Sequence, residues 1–342
     1  MTDTVTWLRD EPLLRVQNLV CQFKAPGGTV HAVSDITFDL LRGETLGLVG
    51  ESGCGKSTTG RAILQLPPPT EGSVVFEDRE LTGFGRGEMR EVRRRLQMIF
   101  QDPISSLNPR RKVRDIVAEG LTIAGVDKER SARTVDAVLH DVGMDPEQVG
   151  DRRPHEFSGG QCQRIAIARA MAIEPSVLIC DEPVASLDVS VQAQILNLLE
   201  DMKTRYGLSL IFISHDLAVV HNVSDRIAVM YLGKIVEIGQ ASAVYSSPAH
   251  PYTMTLLDAV PVPDPEVAPS ERVLEGELPS PLRPPSGCRF RTRCPLAQQV
   301  CADLEPTLQP ASDGHYVACH FPSQPLPELP LVTSGNGQSR DA

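Results

Sequence analysis

Residues 50–57 read GESGCGKS, which matches the pattern G-x-x-x-x-G-K-[ST]. They follow an apolar, strand-like segment at residues 46–49 and precede a helix-like segment at residues 58–66. A glycine-rich loop in this position can turn its backbone N–H groups inward toward phosphates, and the start of the helix adds positive potential. We expect Lys56 to neutralise the β- and γ-phosphates of a nucleotide and Ser57 to offer its hydroxyl to Mg²⁺.

A second stretch, VLICDE at residues 177–182, ends in two carboxylates. Its four apolar residues predict a buried strand that delivers Asp181 and Glu182 at its C-terminal end, where doubly wound sheets place ligands. Asp181 can hold Mg²⁺ through water, and Glu182 can polarise an attacking water molecule. Acids also end buried strands simply to cap a helix. Beside the phosphate-binding loop, however, the pair predicts a site of nucleotide hydrolysis.

Strand-like and helix-like segments alternate over the first 245 residues. This alternation predicts a mostly parallel sheet with helices on both faces. The predicted strands include residues 13–19, 45–49, 177–180, 208–213 and 226–230, together with the alternating Ile36, Phe38 and Leu40. The predicted helices include residues 58–66, 131–142, 158–171 and 191–203.

Proline usage divides the 342 residues into two parts, because 17 of the 28 prolines lie between Pro248 and Pro330. We therefore predict a nucleotide-binding domain at residues 1–245, a C-terminal extension at residues 246–330 and a disordered tail at residues 331–342. Within the extension, an extended linker is expected around its first closely spaced prolines, Pro261, Pro263, Pro265 and Pro269.

The composition excludes several classes of protein. The net charge of −11 argues against a nucleic-acid binder, whose footprint is a basic face. No apolar run approaches the ~18 residues that span a bilayer. The first residues, MTDT, carry no basic stretch followed by an apolar core, so no secretory signal is expected and the cytosol is the default compartment.

Four further elements decide the family. FSGGQ at residues 157–161 opens a helix, and SLD at residues 186–188 closely follows Glu182. Gln101 follows the apolar MIF, and His215 follows the apolar LIFI at residues 210–213. In this order the elements resemble the ATP-binding cassette (ABC) ATPases over about residues 11–240. The resemblance implies an α/β P-loop ABC nucleotide-binding domain with an antiparallel β subdomain and a helical subdomain, followed here by a small cysteine-containing C-terminal extension.

The same resemblance implies roles for individual residues. Glu182 would be the general base, and His215 would contact the γ-phosphate and orient the water. Mg²⁺ would be held through Ser57, Gln101 and Asp181. The residues implied to bind ATP within the chain are Phe23, which would stack on adenine, and Gly50, Ser52, Gly53, Cys54, Gly55, Lys56, Ser57, Thr58 and Gln101.

A second cassette is also implied, since members of the family close head to tail around two ATP molecules. The signature residues would then reach the γ-phosphate bound by the partner's loop, which explains a second glycine motif at a helix start. These residues are Ser158, Gly159, Gly160 and Gln161. Asp188 would lie in a loop of the dimer interface.

Three stretches narrow the resemblance further, namely QDPISSLNP at residues 101–109, SVQAQIL at residues 190–196 and HPYT at residues 250–253. They look like the ATPase subunits of bacterial dipeptide, oligopeptide and nickel importers. ESGC at residues 51–54 and PVAS at residues 183–186 lean toward the second of two non-identical ATPase subunits.

This resemblance implies ATP hydrolysis that drives peptide import, by a peripheral subunit on the cytoplasmic face of the inner membrane. The implied partners are a companion ATPase, two membrane permeases and an extracytoplasmic substrate-binding protein, with no nucleic acid. Residues 102–111 would dock a permease helix. Nickel or another small solute stays open as cargo.

A soluble ABC ATPase that acts on DNA or ribosomes is a second class of function. It is disfavoured because Lys56 and Ser158 are only 102 residues apart, which leaves no room for the large insertions of DNA-repair members. A redox-sensing regulator is a third class, and it could coexist with transport.

Four of the eight cysteines, Cys288, Cys294, Cys301 and Cys319, lie within one proline-rich segment. A disulfide framework conflicts with a cytosolic location. Structural zinc would be expected to show a C-x2-C pair, which is absent. A [4Fe-4S] cluster fits the number of thiolates, although the spacing matches neither ferredoxin pattern. The segment resembles the extension of peptide-importer ATPases, of which some bind such a cluster; zinc and no metal remain alternatives.

Overall fold

The computed structural model describes residues 8–9, 11–260 and 277–326. The predicted tail at residues 331–342 and the four linker prolines lie outside the described residues. The strands are β1 (Leu14–Ala25), β2 (Gly28–Leu40), β3 (Thr45–Val49), β4 (Glu71–Phe76), β5 (Arg79–Glu80), β6 (Leu96–Ile99), β7 (Val177–Asp181), β8 (Ser209–Ser214), β9 (Arg226–Tyr231), β10 (Lys234–Gln240), β11 (Gln309–Ser312) and β12 (His315–Val317).

Helices connect these strands, and a 3₁₀ helix occupies Pro154–Glu156. The α-helices are α1 (Lys56–Ile63), α2 (Arg86–Arg95), α3 (Pro103–Ser106), α4 (Val113–Val117), α5 (Glu119–Ile123), α6 (Lys128–Asp141), α7 (Pro146–Val149), α8 (Gly159–Met171), α9 (Val189–Tyr206), α10 (Leu217–Val223), α11 (Ala241–Ser246), α12 (Pro251–Asp258) and α13 (Gln299–Asp303). None of the helices in the described part of the chain has the length and apolarity that a membrane span requires.

The central sheet has the strand order β11-β12-β10-β9-β3-β8-β7-β6. Strands β9, β3, β8, β7 and β6 are parallel, and β10, β12 and β11 continue the sheet in antiparallel fashion. Every residue of β7 is buried, because alternate side chains enter different cores. Leu178 and Cys180 pack into one core, and Val177 and Ile179 pack into the other. The predicted parallel sheet covered on both faces is confirmed.

The core that contains Val177 and Ile179 lies beneath a smaller, antiparallel sheet with the order β2-β1-β4-β5. Leu14 of β1 and Phe38 of β2 share this core with Ile63 of α1 and with the central strands. The opposite core contains the helices that follow β6. Val138 of α6 and Ile165 of α8 lie there with residues of the central sheet. The structure thus contains the expected antiparallel β subdomain and helical subdomain.

The C-terminal part contributes directly to the central sheet, because β12 pairs with β10. The buried carboxylate of Glu237 in β10 joins three segments. It accepts hydrogen bonds from the backbone N–H groups of Ala249 (2.7 Å) and His250 (2.9 Å), and it contacts His315 Nε2 of β12 at 2.7 Å. The domain boundary between residues 245 and 246 stays a prediction. Residues of the extension nevertheless bond directly to β10 of the preceding part.

Candidate functional site

The phosphate-binding loop has a backbone that only glycine allows at its critical points. Gly50, Gly53 and Gly55 have φ angles of 157°, 80° and 108°, a region that disfavours other residues. A Cβ atom at Gly50 would lie 2.0 Å from the carbonyl oxygen of Met230, and one at Gly55 would lie 2.2 Å from that of Ala32. The loop is therefore held tightly between the end of β3 and the start of α1, with Ser52 and Gly53 exposed at its tip.

Lys56 begins α1 and is almost fully buried, with 4% of its surface exposed. Its Nζ donates hydrogen bonds to the carbonyl oxygens of Gly50 (2.7 Å) and Glu51 (3.0 Å) and lies 3.8 Å from the sulfur of Cys54. Burial raises the pKa of the Cys54 thiol, so its sulfur stays neutral beside the ammonium group. The loop's own carbonyls thus keep the Lys56 charge at the place where phosphates would bind.

Ser57 and Asp181 meet across 124 residues of sequence, because the Ser57 hydroxyl donates a 2.6 Å hydrogen bond to Asp181 Oδ1. Asp181 is fully buried, and this burial raises its pKa. Its other oxygen, Oδ2, is buried without a hydrogen-bond partner among the described residues. A hydroxyl beside an unpartnered carboxylate oxygen is a fitting donor set for Mg²⁺, a hard cation that prefers oxygen ligands.

Two of the predicted residues converge on the carboxylate of a third, Glu182. Glu182 Oε2 accepts a 3.0 Å hydrogen bond from the Gln101 side chain, and His215 Nδ1 lies 3.6 Å from the same oxygen. Glu182 has a φ of 46°, and its backbone N–H donates to Ile213 of the neighbouring strand β8. The carboxylate leaves the sheet at the end of β7 with 10% of its side-chain surface exposed, next to the more open His215. A base with polar groups on two sides can activate a water molecule there.

The signature residues begin helix α8. Ser158 caps the helix: its hydroxyl accepts from the Gln161 N–H at 3.4 Å, and its own N–H donates to Gln161 Oε1 at 3.0 Å. Gly160 packs so closely on α9 that a Cβ would lie 2.6 Å from Val191 Cγ1. No hydrogen bond in the described residues joins this motif to the phosphate-binding loop.

Asp188 precedes helix α9, where its carbonyl oxygen accepts from the N–H groups of Val191 and Gln192. Its side chain makes no capping bond. Phe23 of β1 is 37% exposed and lines a cavity of 290 Å³ together with Thr58 of α1. The cavity lies beside helix α1, and Pro67 and Thr70 also line it. Neither Pro67 nor Thr70 belongs to a motif, so these two residues could not be predicted from the sequence.

Two further contacts to the phosphate-binding loop were not predicted from the sequence. The Glu51 N–H donates a 2.8 Å hydrogen bond to the Tyr252 hydroxyl, and Arg293 forms a two-pronged ion pair with the Glu51 carboxylate at 2.7 and 3.0 Å. Both partners come from the C-terminal extension. They lie 201 and 242 residues away in the chain, so no local pattern could indicate them.

The iron–sulfur prediction finds no support in the structure. Within the described ranges, no group of three or more His, Cys, Asp and Glu side chains is arranged to hold a metal ion. All four cysteines of the extension are free thiols, and Cys301 is buried. Burial raises the pKa of Cys294 to about 12 and that of Cys319 to about 11.

Known sequence families match both parts of the chain. The family described as ABC transporter matches residues 33–185, and the family described as Oligopeptide/dipeptide transporter, C-terminal region, matches residues 236–301. The chain is 51% identical over 319 residues to the putative oligopeptide transport ATP-binding protein YkfD of Bacillus subtilis (strain 168), covering 92% of this chain and 97% of that protein. It is 52% identical over 301 residues to the oligopeptide transport ATP-binding protein OppF of Escherichia coli (strain K12), covering 87% and 90%.

The fold also resembles solved structures of ATP-binding cassettes. The fold is similar to a dimeric, post-hydrolysis state of the ATP-binding cassette MJ0796 bound to ADP and Pi, with a TM-score of 0.61, 25% identity and coverage of 67% of this chain and 98% of that one. It is also similar to cbiO1 of Clostridium perfringens, part of the transporter complex cbiONQ, with a TM-score of 0.62, 30% identity and coverage of 69% and 92%.

Proposed function

This chain belongs to the ABC transporter family of ATP-binding proteins, and from that membership we propose that it hydrolyses ATP to drive the import of peptides across the cytoplasmic membrane. The convergence of Gln101 and His215 on the Glu182 carboxylate, beside the phosphate-binding loop, is the observation that carries the proposal. The cargo is inferred from the relatives, which are named for peptide transport and are about half identical over most of their length.

In the proposed reaction, the loop N–H groups and Lys56 bind the phosphates of ATP. Ser57 and Asp181 would hold Mg²⁺, with Gln101 as a third candidate, and a bound Mg²⁺ supplies neutralisation of phosphate charge. Glu182 accepts a proton from a water molecule, whose oxygen forms a bond to the γ-phosphorus. The bond from that phosphorus to the β–γ bridging oxygen breaks, and ADP and phosphate are released.

His215 is proposed to contact the γ-phosphate and orient the water, since its exposed ring lies next to the base. Gln101 is proposed to sense the metal site, because its amide already bonds to Glu182. Phe23 is proposed to stack on adenine in the cavity that it lines with Thr58. If these roles hold, a bound ATP extends from Glu182 at the end of β7, where its γ-phosphate lies, to Phe23 of β1, where its adenine lies.

A second cassette is proposed to complete the site. Ser158, Gly159 and Gly160 have no hydrogen bond to their own loop among the described residues, so their helix start is open to a partner's ATP. The similar cassette MJ0796 was solved as a dimer with ADP and Pi. Asp188 lies at the adjoining start of α9, where a partner would approach. We propose that the companion is a non-identical ATPase subunit.

We propose that two membrane permeases hold the chain on the cytoplasmic face of the inner membrane and that an extracytoplasmic binding protein delivers the cargo. Residues 102–111 are the proposed docking segment. Ile104 in α3 is 56% exposed there, and large exposed apolar side chains are typical of a contact surface. Co-purification of the assembled complex from membranes is expected to recover both permeases.

Uptake measured in a deletion strain tests the cargo. We expect the strain to lose uptake of dipeptides or longer peptides and to regain it when the gene is restored. Loss of nickel uptake with unchanged peptide uptake would contradict the proposal. A purified, assembled transporter that shows no ATPase activity would contradict the proposed ATPase function itself.

The iron–sulfur cluster stays a prediction from the number of thiols, and no step above passes through it. Anaerobic purification tests it. A brown protein with iron and sulfide would support the cluster, and a colourless protein with stoichiometric zinc would exclude it.

A further inference from the structure

Glu51 is an acidic residue inside a loop that is proposed to bind a triphosphate. Its position is unfavourable for that task, because a carboxylate next to the phosphates repels them. Its backbone carbonyl also accepts a hydrogen bond from Lys56, so the position of Glu51 helps to set the position of the charge that is proposed to bind ATP. The structure compensates for Glu51 in two ways, and both come from the C-terminal extension.

Arg293 compensates for the charge. Its guanidinium meets the Glu51 carboxylate through two nitrogen–oxygen contacts of 2.7 and 3.0 Å, the fork geometry in which arginine and carboxylate pair most strongly. The Arg293 side chain is 6% exposed and that of Glu51 is 24% exposed, so water screens the pair little. The guanidinium also lies over the ring of Tyr231, 6.0 Å from its centre.

Tyr252 fixes the backbone of the loop at Glu51. Its hydroxyl accepts the Glu51 N–H at 2.8 Å, and its ring is fully buried in helix α12. A peptide group that is fixed on its outer side keeps the inner side of the loop in one orientation. The Cys54 carbonyl is fixed similarly, by the N–H of Gly233 at 2.7 Å. The loop is therefore held from outside at two separate peptide groups.

An aromatic cluster makes these contacts rigid. Phe290 is 1% exposed and packs edge-on against Tyr231, with 5.1 Å between ring centres. Its ring also lies 5.4 Å from Tyr252 and 5.6 Å from His250. The Arg293 N–H donates a 2.9 Å hydrogen bond to the Phe290 carbonyl, so the arginine is positioned by the cluster.

Two more contacts attach the same segment of the extension to the cassette. The N–H of His31 in β2 donates a 2.9 Å hydrogen bond to the carbonyl of Pro281. The guanidinium of Arg289 donates to the carbonyl of Leu232, next to Gly233. The extension thus contacts β2 and the turn between β9 and β10 as well as the phosphate-binding loop itself.

We propose that Arg293 and Tyr252 are positioning residues for ATP. They hold the phosphate-binding loop at Glu51 and neutralise its carboxylate, so that the C-terminal extension sets the affinity of the site for the triphosphate. The inference rests on the proposed ATPase function. It adds that the extension acts on nucleotide binding through Glu51, at a distance from the catalytic Glu182.

The test compares KM and kcat for ATP in the assembled transporter across a charge cycle at the two positions. In Arg293→Ala, the uncompensated carboxylate is expected to raise KM about tenfold, while kcat changes by less than about twofold because the base and the metal site are untouched. Arg293→Ala combined with Glu51→Gln removes both charges, and we expect it to restore most of the affinity.

Glu51→Gln alone separates an electrostatic role from a merely structural one. It breaks the ion pair but leaves the positive charge of Arg293 near the phosphates, so its KM is expected to equal or fall below that of the wild type. Tyr252→Phe keeps the buried ring and loses only the acceptor of the Glu51 N–H, and we expect about a threefold higher KM. Arg291→Ala is the matched control, because the Arg291 side chain hydrogen-bonds to Ser286 of the extension rather than to the phosphate-binding loop among the described residues, and it should leave KM unchanged.

A wild-type KM in Arg293→Ala would overturn the inference. So would a double variant as weak as Arg293→Ala, or a Glu51→Gln variant with a raised KM, because each would mean that the pair only stabilises the extension. Should Arg293→Ala fail to fold, Glu51→Gln and Tyr252→Phe still decide. Wild-type transporter without ATP hydrolysis would instead overturn the proposed function on which the inference rests.

Discussion

Glu182 is the residue whose replacement tests the proposed chemistry most directly. In Glu182→Gln, the amide keeps its size and its contact with Gln101 but accepts no proton from water. We expect the rate of phosphate release to fall by about 10²–10⁴, while ATP binding is retained because the phosphate-binding loop is unchanged. Phosphate release and equilibrium binding of ATP are the two measurements.

The exposed Glu129 of α6 provides the control, and Glu129→Gln is expected to leave turnover unchanged. Near-normal hydrolysis in Glu182→Gln would mean that another group is the base.

At this scale the sequence predicted residues that belong to short, local patterns. Lys56 and Ser57 were predicted from the pattern of one loop, and Asp181 was predicted from the end of one strand. The structure adds that Ser57 and Asp181 form a hydrogen bond and that Gln101 and His215 meet at one oxygen of Glu182. Such distances depend on how distant segments fold together, which a single sequence does not contain.

Among the elements, β3 and α10 approach each other unusually closely. A Cβ atom at Gly47 of β3 would lie 2.2 Å from Val220 Cγ1 and 2.7 Å from Ser224 Oγ. We expect Gly47→Ala to push α10 away from the sheet and to lower the midpoint of thermal unfolding by about 2–5 °C, as overpacking does in a close-packed core. Calorimetry or circular dichroism measures the midpoint.

Gly87→Ala is the control for this prediction. Gly87 is exposed in helix α2, and an added Cβ there meets nothing within 4 Å. Alanine there is expected to leave the midpoint unchanged or to raise it slightly, because it lowers the entropy of the unfolded chain. An equal loss of stability in both variants would argue against steric contact at Gly47.

The elements that the sequence predicted are those with their own pattern. β3, β7, β8 and β9 are apolar runs that fill both cores, and their predicted bounds agree with the structure within about a residue or two. β11 carries no such pattern. Its residues are all exposed and include Pro310, and it is a strand only because β12 lies beside it. Because β11 forms by pairing with β12, its local sequence pattern could not predict it.

For the molecule as a whole, the lowered pKa of His250 makes the free energy of unfolding depend on pH. Its Nδ1 accepts the Tyr252 N–H at 3.0 Å and caps α12, which requires this nitrogen to be unprotonated. Burial lowers the pKa of His250 to about 4, against the attraction of Glu237. The unfolded chain takes up this proton near pH 6.5 and the folded chain only near pH 4.

Folding stability is therefore expected to fall as the pH drops from 6.5 to 4, by up to about 3 kcal/mol from this group. His250→Asn keeps a capping acceptor and removes the titration, so its stability should depend less on pH in this window. Thermal unfolding midpoints of both proteins at several pH values measure the difference. Identical pH profiles would contradict the role of His250.

The outermost strand of the central sheet has a consequence for how copies of this chain behave toward one another. β10 is largely buried, and an uncovered strand of this kind is a template for pairing with the same strand of another molecule. β12 and β11 cover it, and the sheet then ends in four exposed residues that include a proline, which lacks an N–H to offer. We therefore expect a chain that loses the β11–β12 hairpin by proteolysis to expose the edge of β10 to pairing with another copy.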